Sequence, residues 1–132
     1  MRFILSSLVC ALALSACGGP SQTPEQRAQS AANKAATAQA VKNAKTASVN
    51  GKAFRVAERR DKGYALVELQ GSAAPYTALE VERAAASATG CGATFEPGIL
   101  AFVGGDVRKA DLGALRKKVS GNFNGWRVNL KC

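Results

Sequence analysis

Few side chains in this chain could do covalent or acid–base chemistry. There are four cysteines (Cys10, Cys17, Cys91 and Cys132), a close pair of carboxylates (Glu80 and Glu82), and a cluster of cations at Arg55, Arg59, Arg60 and Lys62. Histidine is absent, so no Ser–His or Cys–His nucleophile can be assembled, and a metal site lacks its usual partner. Two residues apart on a helix, Glu80 and Glu82 point in diverging directions and make a poor acid–base pair. Glu80 also stands three residues after Thr77, the offset of a capping box, which gives it a structural role. Val103-Gly104-Gly105-Asp106 contains glycines without the spacing of a phosphate loop. The expectation is a protein that is not an enzyme and holds no metal or cofactor.

The cations suggest binding instead. Lys and Arg outnumber Asp and Glu by 18 to 9, a formal charge of +9. Arg55, Arg59, Arg60 and Lys62 gather on one predicted hairpin, where they could meet glycolipid phosphate, an anionic wall polymer or nucleic acid. Nucleic acid is the weakest of these partners, because Tyr64 is the one aromatic residue near the cluster and stacking needs more. A plainer reading is that scattered cations keep the chain soluble. Arg116, Lys117 and Lys118 read as a solvated helix end.

The N-terminus is a targeting segment. Met1 and Arg2 open it, Phe3 to Leu14 form an apolar run too short to span a bilayer, and Leu14-Ser15-Ala16-Cys17 then leads into the polar GGPSQTPEQ. That tetrapeptide closely resembles the lipobox of bacterial lipoproteins. The resemblance covers the first 17 residues. It implies cleavage between Ala16 and Cys17 and attachment of a diacylglyceryl group to the Cys17 thiol. It further implies acylation of the new amine, and two or three chains hold a protein on a membrane durably. Gly18 stands where an Asp would retain such a protein at the inner membrane. The resemblance therefore implies the periplasmic face of the outer membrane, in an organism that has one.

With Cys10 removed and Cys17 carrying lipid, Cys91 and Cys132 remain as a pair in an oxidising compartment, which points to a disulfide. Closing a loop of about 40 residues stabilises a fold by roughly 4 kcal/mol in the chain-entropy account.

The signal peptide spans 1–16, and residues 17–50 read as a lipidated N-terminus and Ala-rich tether, flexible or partly helical, with Val41 its one bulky aliphatic before Val49. Thr23-Pro24-Glu25-Gln26 has the form of a helix start. From 51 to 132 the pattern is that of a small domain. AFRVA and GYALVEL alternate as strands around the turn Asp61-Lys62-Gly63. A helix opens at Thr77 and ends at Gly90, with Ala78, Val81, Ala85 and Ala88 on its inner face. Two strands are expected in ATFEPGILAFV around a Pro97-Gly98 turn. A second helix follows from Asp111 to Ser120, with Leu112, Leu115 and Val119 inward. WRVNLKC closes the chain with Trp126, Val128, Leu130 and Cys132 on one face. The order is ββαββαβ, an α+β sandwich of a mostly antiparallel sheet with two helices on one face.

Overall fold

The computed structural model describes residue 19 and residues 21–71, 74–102 and 105–132, with Ile99 described for its backbone alone. The chain is an α+β protein. Its elements are α1 (Pro24–Lys42), β1 (Lys45–Val49), β2 (Lys52–Arg59), β3 (Tyr64–Leu69), α2 (Ala78–Thr89), β4 (Gly92–Phe95), α3 (Leu112–Lys118) and β5 (Trp126–Lys131). Five strands form one sheet in the order β1-β2-β3-β5-β4, each pair antiparallel. Among the described residues no helix is long and apolar enough to cross a membrane.

Local chemistry accounts for the element ends. Thr23 caps α1: its Oγ1 accepts from Gln26 N, and the Gln26 side chain accepts from Thr23 N. β1 turns into β2 through Asn50 and Gly51, both at positive φ (50° and 74°), as a two-residue hairpin requires. Gly90 ends α2 in the left-handed conformation at φ 72°. The Asp111 carboxylate accepts from Gly113 N and Ala114 N and starts α3.

One face of the sheet is sealed. Phe54, Val56, Val67, Trp126, Val128 and Phe95 alternate inward onto Val81, Ala84 and Ala85 of α2, and Leu112 of α3 joins the same core. Phe54 meets Tyr76 edge to face at 5.6 Å, and the buried Trp126 Nε1 donates to Tyr76 Oη at 2.8 Å. Burial raises the Tyr76 phenol above its usual range, with the Trp126 hydrogen bond acting in the opposite sense.

Three expectations are revised. The sheet starts at Lys45, so the strand β1 falls within the stretch read as tether, and the rest of that stretch is largely the helix α1. Gly98–Phe102 is a 3-10 turn where a second strand was expected. Gly98 takes a positive φ of 54° and Leu100 N donates to Pro97 O at 3.0 Å, so the segment curls on itself instead of running out along the open edge of β4. α3 stops at Lys118, leaving Val119 extended and exposed instead of inward.

Gly125 is fixed by space. Its φ is +131°, and a Cβ there would lie 2.7 Å from Val67 N and 2.9 Å from Leu66 C. Gly125→Ala is therefore expected to lower stability by about 2 kcal/mol, through strain and forced separation of β3 from the entry to β5. Chemical denaturation checks it; an unchanged midpoint would mean that this backbone relaxes freely.

Glu80 ties α2 to the first hairpin. Burial alone would raise its carboxyl, but Lys52 Nζ (2.8 Å), Thr77 N (2.9 Å) and Asn50 Nδ2 (3.2 Å) donate to it and hold it below the ordinary carboxylate range. A depressed acid contributes stability above its unfolded value and loses it as pH falls through the folded one. The melting temperature should thus drop on acidification below about pH 4, and less so in Glu80→Gln. Parallel melting profiles for the two chains would remove Glu80 from that account.

Candidate functional site

The anchor residue Cys17 and the signal preceding it lie outside the described residues. Cys91 and Cys132 are joined by a disulfide, with Cα atoms 4.4 Å apart. The antiparallel pairing of β4 with β5 makes the bond possible: Gly92 opposes Lys131, so the two cysteines meet one step beyond the last pair. Cys91 is buried, whereas Cys132 lies just past the strand and is exposed.

The hairpin cations do not form one patch; most are drawn to separate partners within the fold. Arg55 pairs with Glu68 of the neighbouring strand at 2.6 Å. Arg60 pairs with Glu58 and donates to Thr89 O, and Lys45 donates to Ala88 O. These two cations meet the C-terminal carbonyls of α2, the negative end of its dipole.

Arg59 is 3% exposed. Its Nε and Nη2 donate to the two oxygens of Asp61, both at 2.9 Å, and its Nη1 donates to Asn33 O (3.2 Å) and Thr37 Oγ1 (2.7 Å) of α1. The Asp61 hydrogen bonds push the Arg59 guanidinium above its ordinary value, and the same bonds hold the Asp61 carboxyl below its own. Arg59 is thus a clamp between sheet and helix. Of the four candidates, Lys62 is exposed and makes no ion pair among the described residues.

Lys62 instead joins Tyr64, the aromatic residue noted beside the cluster, and two residues that the sequence did not single out, Asn33 and Arg127. It lines a shallow cleft of about 300 Å³ with Asn33 of α1, Tyr64 of β3 and Arg127 of β5. The Arg127 guanidinium lies over the Tyr64 ring at 4.2 Å, and its Nε is 2.6 Å from Glu96. The alternation of WRVNLK placed Arg127 outward; its meeting with Tyr64 needed the β3–β5 register, which no local pattern encodes.

The two carboxylates weighed as an acid–base pair go to separate partners. Glu80 is held by Lys52 and Asn50, while Glu82 accepts from Phe95 N and from Arg108. No group of three or more His, Cys, Asp or Glu side chains placed to hold a metal occurs among the described residues. No protein-family model matches the chain, and no curated protein or solved structure matches it either.

Proposed function

We propose that the chain is a lipid-anchored protein of the cell envelope, held by acyl groups on Cys17 at the periplasmic face of the outer membrane. Its folded part is a non-catalytic interaction or scaffolding domain. The observation that carries this reading is the Cys91–Cys132 disulfide. A stable bond of this kind belongs to an oxidising compartment, and so supports export independently of the residues around Cys17. α1 adds a second element of the design. Its 19 residues span about 28 Å and link the anchor to the domain, with the second half of the helix held on β2 through Asn33 and Thr37.

The test is metabolic labelling with palmitate in intact cells, together with membrane fractionation. The expected result is label in the wild-type chain, its recovery with outer membranes, and an unlabelled precursor for Cys17→Ser. A soluble, unlabelled product starting at another residue would overturn the reading.

A further inference from the structure

The two edges of the sheet are finished differently. At β4, Glu96 N donates to Arg127 O, which fixes the phase of the ladder. Residues 92 and 94 bond to β5, while Ala93 and Phe95 turn their backbone groups outward. The Glu82 carboxylate of α2 accepts from that outward Phe95 N at 2.9 Å. The β4 edge is thus short and partly closed.

The β1 edge is not. Gln70 N donates to Ala53 O, so the odd-numbered residues of β2 bond to β3 and its even-numbered residues bond to β1. Lys45, Ala47 and Val49 oppose those even residues, so the N–H and C=O groups of Thr46 and Ser48 point away from the sheet. Both residues are exposed, and these backbone groups meet no partner among the described residues. Folded proteins blunt such an edge with proline, a bulge or an outward charge. β1 has neither proline nor bulge, and its one cation, Lys45, turns back toward Glu58 and Ala88 O.

The open run is bounded at both ends. Ala44 N is committed to Val41 O, and Asn50 leaves the strand at positive φ. What remains is Lys45–Val49, five residues centred on Ala47. A copy of β1 laid antiparallel against it engages both Thr46 and Ser48 in one register alone, with Ala47 on the two-fold axis. Thr46 then faces Ser48 of the second copy, Ala47 faces Ala47, and Lys45 faces Val49. Hydroxyl residues meet, small meets small, and the Lys45 stem covers the half-buried Val49. The two lysines stand at opposite ends of the new ladder, about 14 Å apart, beyond the screening length at physiological salt.

We infer that the chain pairs with a second copy of itself through the β1 edges, antiparallel about Ala47, so that two five-stranded sheets run on as one. The inference rests on the reading of the domain as an interaction module, and gives that module its partner and its surface.

The experiment uses the full chain in detergent micelles. Thr46→Cys and Ser48→Cys chains are prepared separately and oxidised alone or mixed. Opposed residues of a bonded pair lie about 5.5 Å apart, within reach of a disulfide, so the mixture should crosslink at least about tenfold faster than either chain alone. A pairing of two short strands is small, so sedimentation of wild type is carried to about millimolar concentration, where a dimer should form. Ser48→Pro removes an outward N–H and should weaken dimerisation by at least about tenfold, while Ala93→Pro, the same change on the β4 edge, should stay within about twofold. Each variant is first checked by melting for an intact fold. Equal crosslinking in the mixture and the single chains would show random collision, and faster crosslinking of one chain alone would show another register. Either overturns the proposal. So does a wild type that stays monomeric throughout, which would leave the edge to a strand of another protein. No membrane is present, so a failure here leaves the lipid anchor standing, and a failure of palmitate labelling leaves this result standing.

Discussion

Replacing Cys91 and Cys132 by serine should lower the melting temperature by about 15 °C or more. The bond closes a loop of 41 residues, for which the chain-entropy account gives a stabilisation of roughly 4 kcal/mol, and each kcal/mol moves the midpoint of a small domain by several degrees. The structure adds a local reason. β4 is an edge strand with β5 as its one sheet neighbour, and the disulfide joins the start of β4 to the residue after β5. Between them runs a long connection whose one fully buried side chain among the described residues is Leu112. In the folded protein the half-buried Leu100, Val107, Leu115 and Phe123 also seat that connection, but in the unfolded chain the disulfide is its restraint. Mass analysis with and without reductant, alongside melts of wild type and the double variant, checks the expectation. Two free thiols in protein taken from the envelope, or a double variant melting within a degree or two of wild type, would refute it.

The second large effect is expected at Arg59. α1 contributes no buried residue; its seam on the domain is the half-buried set Ala36, Thr37, Ala40 and Val41. Shallow clefts of about 630 and 400 Å³ flank the helix, so it is not wedged into the sheet. The two hydrogen bonds from Arg59 to Asn33 O and Thr37 Oγ1 are charge-assisted, a class contributing about 1.5–3 kcal/mol each. Arg59→Met retains the aliphatic stem and removes both. Tryptic cleavage after Lys34 and Lys42 should then accelerate by at least about tenfold, while the sheet stays resistant. Arg55→Met, on the same face of β2 but paired with Glu68, should leave those cleavages unchanged. Equal cleavage in wild type and Arg59→Met would mean that the apolar seam alone holds the helix.

The legible parts of the fold were those with bulky side chains in period or with paired end signals. α2 announced itself through Thr77, Glu80 and Gly90, and β5 through Trp126, Val128 and Leu130. β1 was missed because its one buried side chain is Ala47, too small to make an alternation visible, although Asn50-Gly51 is a strong hairpin signal in its own right. Residues 98–102 differ from expectation because their composition is strand-like, whereas Gly98 at positive φ and the Leu100 N to Pro97 O hydrogen bond curl the segment into a local turn. The cation cluster was legible as a cluster but not as a site. Whether an arginine meets solvent or a neighbouring element depends on what folds over it, and Arg59 became a clamp only because α1 returns across β2.

One consequence of the strand order concerns time. β5 is the last element in the chain, yet it lies inside the sheet between β3 and β4. Until residues 126–131 arrive, β4 has no strand to bond and the core lacks Trp126, Val128 and Leu130. The β1–β2–β3 meander can form early from local pairings, but closure waits on contacts far apart in sequence, which are slow to make. A chain threaded across a membrane from its N-terminus would therefore remain incompletely folded, and so threadable, until its final strand had passed. Folding would then be completed on the far side, where the cysteines can be oxidised.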